Sequence, residues 1–385
     1  MVPERPTIER QILLALDAAP SRIPVLVGGC GAGRTTLLTR VAQHLGERHH
    51  QYIDTERAAS TPEEFWAAIS AYTPYVSDLT SPEIHTDRSA RAAFDDLLAF
   101  LTHARTHNGN SATFLIDELL ELRTFESFPG LRGALREFVT TVIESPNRFV
   151  LATRYPGRLN RLFRDAPARI EIIRVPPLSI YEIASSLLSV GLGRDEAERH
   201  ELARLIHVLV DGRPSYVQVL AQALASMDGA SGGDPVSALA SQLAVGAPLS
   251  QICRLCYEVR LSRARGYGAL KAILHVLADE EMLTLTEISH RLGRTPGSTK
   301  DYLSWLEDVD LIQVQQKRYS YCDPLLRLWV RLHSRPIPPN ESDLSRESQE
   351  YAVSRLPFME SDLPVTEPSD TRTEPDKTWS IIDID

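Results

Sequence analysis

The run Gly28-Gly29-Cys30-Gly31-Ala32-Gly33-Arg34-Thr35-Thr36 has the spacing of a phosphate-cradling loop, G-x-x-x-x-G-K-[ST], with arginine in the lysine position. In such a loop successive backbone N–H groups surround phosphate oxygens, the basic side chain neutralises them, and the Ser/Thr hydroxyl binds Mg²⁺. Thr35 supplies that hydroxyl and Arg34 the cation. No lysine precedes Lys271, so none from the same part of the chain fills the vacancy. A second chemical group closes an apolar run, Thr113-Phe114-Leu115-Ile116-Asp117-Glu118. In a parallel sheet this strand end lies beside the phosphate loop, where Asp117 holds Mg²⁺ through water and Glu118 polarises an attacking water. A third run, 148–152, ends at Thr153-Arg154. If its strand lies between the other two, Arg154 reaches a terminal phosphate by a charge-assisted hydrogen bond.

The elements that must position these groups follow from the hydrophobic pattern. A short helix is expected over 7–19, then strands at 22–28, 51–54, 112–117, 147–152 and 169–175. Helical stretches alternate with them at 34–46, 61–71, 87–106, 130–144 and 157–164, and 74–82 reads as a loop. Alternating strands and helices predict an α/β fold with a parallel sheet covered on both faces. Past Pro176-Pro177 the pattern is helical only, at 179–190, 195–210, 214–227 and 236–244, which predicts a lid over a nucleotide. Residues 267–278, 284–293 and 298–308 have a helix–turn–helix layout, followed by a hairpin over 312–321 and a helix after Asp323-Pro324. The expected division is a nucleotide-binding core at 1–177, a helical lid at 178–250, a winged-helix domain at 251–335 and a disordered acidic tail at 336–385.

Composition supports an ordinary globular chain of two or three domains: 43% hydrophobic, 24% charged, with no apolar run near the ~20 residues of a membrane span. No membrane role is expected, and with a non-signal N-terminus the default location is the cytoplasm. The net charge of −10 is concentrated in the tail, where 12 acidic residues face 4 basic ones, so the body is near neutral. Four cysteines are too few for a disulfide framework, and Cys253 and Cys256 read as neighbours on a helix.

The order of phosphate loop, Asp-Glu strand, Thr-Arg strand end, helical lid and winged helix resembles the STAND branch of the AAA+ P-loop ATPases, especially its archaeal-ATPase-like members. The resemblance covers residues 7–335 and includes Thr153-Arg154, Gly212-Arg213-Pro214 at a lid helix start, and Asp323-Pro324 before an aromatic-containing helix. It implies that ATP or ADP, with Mg²⁺, sits between core and lid, with Pro214 near the adenine and Arg213 approaching the terminal phosphate. It also implies a search for an arginine finger in the stretch holding Arg161, Arg164 and Arg169, and with it a homo-oligomer. Gly212-Arg213-Pro214 is equally a helix-capping turn.

Arg34 departs from that pattern. Arginine is a planar fork with a different reach from the compact lysine ammonium. Nucleotide binding is therefore expected to survive while hydrolysis is slow or absent, because a misplacement of ~1 Å costs ~10²-fold in rate. This suits a regulatory switch acting on a protein partner or effector in trans. The alternatives are an active AAA+ ATPase on DNA, of the origin-recognition, transposition or defence type, and a nucleotide-stabilised scaffold. Candidate DNA contacts are Arg294, Ser298, Thr299, Lys300, Lys317 and Arg318, in a segment with 13 basic and 10 acidic residues over 254–335. The apolar end over 379–385 is a candidate strand for a partner's sheet edge.

Overall fold

The computed structural model describes residues 5–46, 49–76, 89–164, 167–227, 233–262, 264, 266–335 and 337–355. Five short strands form its centre: β1 (Ile23–Val27), β2 (Gln51–Asp54), β3 (Thr113–Asp117), β4 (Arg148–Thr153) and β5 (Ile170–Arg174). All pairings are parallel, in the order β2-β3-β4-β1-β5. β4 thus lies between β1 and β3, as the reading of Arg154 required. The register places Val27 beside Thr153 and Asp54 beside Asp117, so the chemistry-bearing ends meet along one edge.

Side chains alternate across the sheet, as the two-residue period of a strand demands. Val25, Val27, Phe114, Ile116, Phe149 and Leu151 face one layer, packing with Phe65, Phe94, Phe100 and Phe138. Leu26, Leu115, Val150 and Ala152 face the other, against Ile12 and Leu16 of helix Pro6–Asp17 and Leu37, Leu38 and Val41 of helix Arg34–Leu45. Fully burying each such side chain contributes about 1.5–3 kcal/mol. Glycine punctuates helix Arg34–Leu45 at both ends, with Gly33 at φ 87° before it and Gly46 at φ 83° after it.

Two elements around the parallel sheet were not expected. Helix Thr55–Ala58 begins as soon as β2 ends, capped by Asp54, whose side chain accepts from the Arg57 N–H. A 3₁₀ segment, Leu119–Ser127, follows β3, and the helix expected over 130–144 starts only at Ala134. The loop expected over 74–82 falls mostly outside the described residues, which resume at Ser89, the N-cap of helix Ala90–His103.

The helical segment beyond β5 runs through Ile180–Ser189, Glu196–Val210, Pro214–Met227 and Pro235–Gln242. Ser179 and Glu182 form a reciprocal capping box at its start. Helix Pro248–Leu261 passes straight through the boundary expected at 250. Next come helix Tyr267–Asp279, β6 (Leu283–Thr284), helices Leu285–Arg291 and Pro296–Asp308, β7 (Ile312–Gln315), β8 (Arg318–Tyr321) and helix Pro324–His333. The three strands form an antiparallel sheet in the order β6-β8-β7. Gln316 and Lys317 turn the β7–β8 hairpin at φ 49° and 65°, the paired positive values that a two-residue hairpin turn requires.

The tail needs correction. Residues Glu341–Arg355 form a helix rather than a disordered segment. Its composition is polar, but Leu344, Tyr351 and Ala352 are buried, and Tyr351 Oη donates to Leu209 O at 3.0 Å. The buried Glu347 pairs with Arg335 at 2.7 Å and also with Arg331. The expectation missed it because a few apolar anchors and one ion cluster suffice where a neighbouring surface is ready to receive them. The rest of the tail, including 379–385, lies outside the described residues. Among the described residues no helix is long and apolar enough to cross a membrane.

Candidate functional site

The loop between β1 and helix Arg34–Leu45 occupies the sheet edge where β1, β3 and β4 end. Gly31 and Gly33 have φ of 76° and 87°, a left-handed geometry that turns successive N–H groups inward as an anion nest. A Cβ on Gly31 would lie 2.2 Å from Ser215 Oγ, so glycine there also lets helix Pro214–Met227 approach. Between this loop and the start of helix Pro214–Met227 is a cleft of about 230 Å³, lined by residues 31–36 with Pro214, Ser215 and Gln218.

Arg34 folds back across the loop rather than pointing outward. Its Nη1 donates to Gly28 O and to Gly29 O, the latter at 2.8 Å, and its Nη2 pairs with Glu118 Oε1 at 2.6 Å. Glu118 is only 4% exposed and is shared with Arg154, whose Nε lies 3.0 Å from Oε1 and whose backbone N–H donates to Oε2 at 3.2 Å. Burial pushes the Glu118 carboxyl above the usual carboxylate range, and the two guanidiniums oppose that. Arg154 also pairs with Glu56 of the unforeseen helix Thr55–Ala58. Burial disfavours the Arg154 charge, but Glu118 and Glu56 hold its pKa above the ordinary value.

Asp117 is held from two sides: Thr35 Oγ1 donates to Oδ2 at 2.7 Å and Tyr52 Oη donates to the same oxygen at 3.0 Å. Thr55 Oγ1 shares its one proton between the carbonyls of Asp117 and Glu118, at 2.5 and 2.6 Å. That bridge sits at a strained point, since Glu118 has φ 53°, a left-handed conformation costing about 1–2 kcal/mol for a residue with a side chain. The hydroxyl–carboxylate pair is a hard-oxygen donor set suited to Mg²⁺.

Lid and C-terminal groups close the other flank. Arg213 Nη1 donates to Cys30 O at 3.4 Å and Nη2 to Cys322 O at 3.1 Å, with Asp323 Oδ2 3.5 Å from Nε. Tyr216 Oη donates to Asp323 Oδ2 at 2.9 Å. The neighbouring Cys256 thiol draws the Cys30 thiol well below the ordinary thiol range; burial opposes this, and Arg260, Arg154 and Arg34 add to it. The nest, the basic groups and the Nε of Arg34, buried without a hydrogen-bond partner among the described residues, fit a polyphosphate.

The expected site residues therefore divide. Gly28, Gly29, Cys30, Gly31, Ala32, Gly33, Arg34, Thr35, Thr36, Asp117, Glu118, Arg154, Arg213 and Pro214 are brought together. Arg169 is not available as a finger: it donates to the carbonyls of Ser21, Ile143, Ser145 and Asn147 and ties the ends of β1 and β4 together. Arg161 is engaged with Asp308 of the C-terminal unit, while Arg164 is exposed. Thr299 is fully buried and donates to Thr295 O at 3.0 Å, so it presents nothing to DNA. Arg294, Ser298, Lys300, Lys317 and Arg318 are exposed, although Arg318 Nη1 donates to Met282 O at 2.6 Å. The sequence reading missed Tyr52, Thr55, Glu56, Ser215, Arg260 and Asp310. Only Tyr52 carried a signal, an aromatic hydroxyl near the end of a strand beside the Asp117 strand.

No protein-family model and no curated protein matches the chain. Among solved structures, a Walker-type ATPase of Pyrococcus abyssi is similar over 85% of this chain and 95% of its own, at 19% identity and a TM-score of 0.60. A STAND protein with a tetratricopeptide repeat sensor from Pyrococcus horikoshii aligns at 13% identity and TM-score 0.37, over 93% of this chain and 45% of that one. The Aeropyrum pernix Orc1 protein, solved in complex with DNA, aligns at 15% identity and TM-score 0.39, over 92% and 95%. The first likeness shows the fold alone: a parallel α/β core followed by helical and C-terminal units, in agreement with the α/β fold expected from the sequence.

Proposed function

We propose that the chain is a nucleotide-dependent switch that binds ATP or ADP with Mg²⁺ between core and lid and hydrolyses ATP slowly or not at all. The observation that carries this reading is the position of Arg34, which grips Glu118 at 2.6 Å while closing the loop on the carbonyls of Gly28 and Gly29. Glu118 is the group suited to orienting an attacking water, and here it is shared between two guanidiniums. A carboxylate so engaged is directed at cations rather than at water. Bound Mg²⁺ would offset the negative charge of the phosphate oxygens. On the protein side, Thr35 and Asp117 would hold the metal, the nest N–H groups and Arg34 would bind phosphate, and Arg154 and Arg213 would distinguish the terminal group.

The lid and C-terminal unit are placed to transmit that distinction, since Arg213 touches both Cys30 of the loop and Cys322 next to Asp323. The C-terminal unit is read as a winged helix that packs on the core, its Asp308 paired with Arg161 and its Trp305 ring 5.9 Å from the Arg158 guanidinium. The recipient is a protein partner in trans, and four free thiols fit a reducing cytoplasm. Single-turnover hydrolysis by the native chain, Arg34→Lys and Glu118→Gln tests the reading. Lysine cannot fork between loop and carboxylate, so Arg34→Lys should raise the rate about tenfold or more. Rapid turnover by the native chain, abolished in Glu118→Gln, would refute the slow switch.

The second reading, a DNA-associated ATPase, rests on the exposed Arg294, Lys300 and Lys317 of the C-terminal unit. It requires duplex binding that weakens steeply with salt.

A further inference from the structure

Arg260 ends helix Pro248–Leu261, outside both the core and the Gly212-Arg213-Pro214 turn, yet it reaches the phosphate loop. It is 2% exposed, and its Nε has no hydrogen-bond partner among the described residues. A Cβ placed on Gly29 would lie 3.5 Å from Arg260 Nη2, 3.4 Å from Arg213 Nη1 and 3.0 Å from Asp310 Oδ2. Arg260 is held by Nη1, which donates to the backbone carbonyl of Asp310 at 2.8 Å. Arg260 also heads the charges acting on the Cys30 thiol, ahead of Arg154 and Arg34. Residues 29 and 30 are thus ringed by four arginines from four separate elements: Arg34, Arg154, Arg213 and Arg260.

The phosphate chain has a defined polarity in such a loop. On the proposed reading its terminal group lies toward Glu118 and Arg154, and Cys30 is a loop residue within the field of Arg154. Arg260 stands on that same flank. A buried guanidinium with one unpaired N–H is a costly arrangement unless an anion completes it. The adjacent Asp310 carboxylate only partly does so: it is shared between Arg260 and Arg213, and burial pushes its pKa above the usual range.

We propose that Arg260 is a specificity residue for the terminal phosphate, supplied by the C-terminal unit, with Asp310 as the counter-charge that a nucleoside triphosphate must outcompete. It rests on the proposed nucleotide binding and extends it: the unit that moves reads the γ-phosphate through its own side chain. A nucleoside diphosphate leaves Arg260 on Asp310, and a triphosphate draws it away. Asp310 sits at φ 57°, a conformation that asparagine also tolerates, so its charge is removable without a backbone penalty.

Calorimetric titration of ADP and of a non-hydrolysable ATP analogue, each with Mg²⁺, tests this on the full chain. Arg260→Ala should weaken the triphosphate analogue about 10–100-fold, the worth of one charge-assisted hydrogen bond, and leave ADP within about twofold. Asp310→Asn should strengthen the analogue and leave ADP unchanged; because it retains Arg260, it carries the test if Arg260→Ala does not fold. Equal weakening of both nucleotides by Arg260→Ala, no weakening of either, or no gain in Asp310→Asn overturns the proposal while the native chain still binds. A native chain that binds neither nucleotide overturns the underlying functional reading as well.

Discussion

Glu118→Gln should make the nucleotide-free protein less stable and its nucleotide complex tighter, two changes of opposite sign from one substitution. Glu118 is 4% exposed and lies 2.6 Å from Arg34 and 3.0 Å from Arg154. Removing one partner of a buried pair costs about 3–5 kcal/mol, because the other charge is left uncompensated. Arg154 keeps Glu56 and Arg34 keeps two loop carbonyls, so the low end applies, about 3 kcal/mol. For a cooperative unit the size of the core this lowers Tm by about 6–12 °C. In the proposed complex a phosphate gains the Nη2 arm of Arg34 only by displacing Glu118. Without that competitor, affinity should rise by about 10–100-fold, equivalent to a charge-assisted bond of about 1.5–3 kcal/mol. Scanning calorimetry of both proteins, with and without ADP or a non-hydrolysable ATP analogue, reads both effects. An unchanged nucleotide-free Tm, or weaker binding in Glu118→Gln, would show that Arg34 and Glu118 are not coupled as described.

Cys30 should be the thiol that iodoacetamide labels first, since Cys256 and the surrounding arginines draw its pKa down while burial pushes those of Cys253 and Cys322 up. A lowered pKa keeps the thiolate as pH falls, so its labelling rate should stay nearly flat from pH 8 to 7, where an ordinary thiol slows about tenfold. Nucleotide should protect it, and mass-mapped adducts that form equally with nucleotide present would contradict its place in the loop. Tyr351→Ala should cost about 3 kcal/mol, as truncation of a buried aromatic does. It removes a ring that is 9% exposed and its bond to Leu209 O, and an unchanged melting curve would mean that helix Glu341–Arg355 is not docked.

The parts of the site legible in the sequence are those fixed by backbone periodicity. Short strands with apolar centres ending in Asp117-Glu118 and Thr153-Arg154, with a glycine loop after the chain's first strand, define a sheet edge without any contact being known. The parts that were not legible are set by packing over long sequence distance. Asp310 meets Gly29 across the whole lid, and Glu56 meets Arg154 from a four-residue helix too short to have a hydrophobic period. Arg161, Arg164 and Arg169 show the same limit from the other side: of three identical residues in one stretch, Arg161 pairs with Asp308, Arg164 is exposed, and Arg169 is spent on backbone carbonyls. Arg34 combines both cases. Its place in the loop follows from spacing, but its hold on Glu118 depends on the Nη2 of a fork whose other arm is fixed by Gly28 and Gly29. A lysine of the same position has one point of charge and cannot bind loop and carboxylate through separate arms. The exchange therefore does more than shift a phosphate ligand. On the proposed function it gives the protein an internal anion to release before Arg34 Nη2 can grip phosphate, and that competition would make the resting state a distinct state.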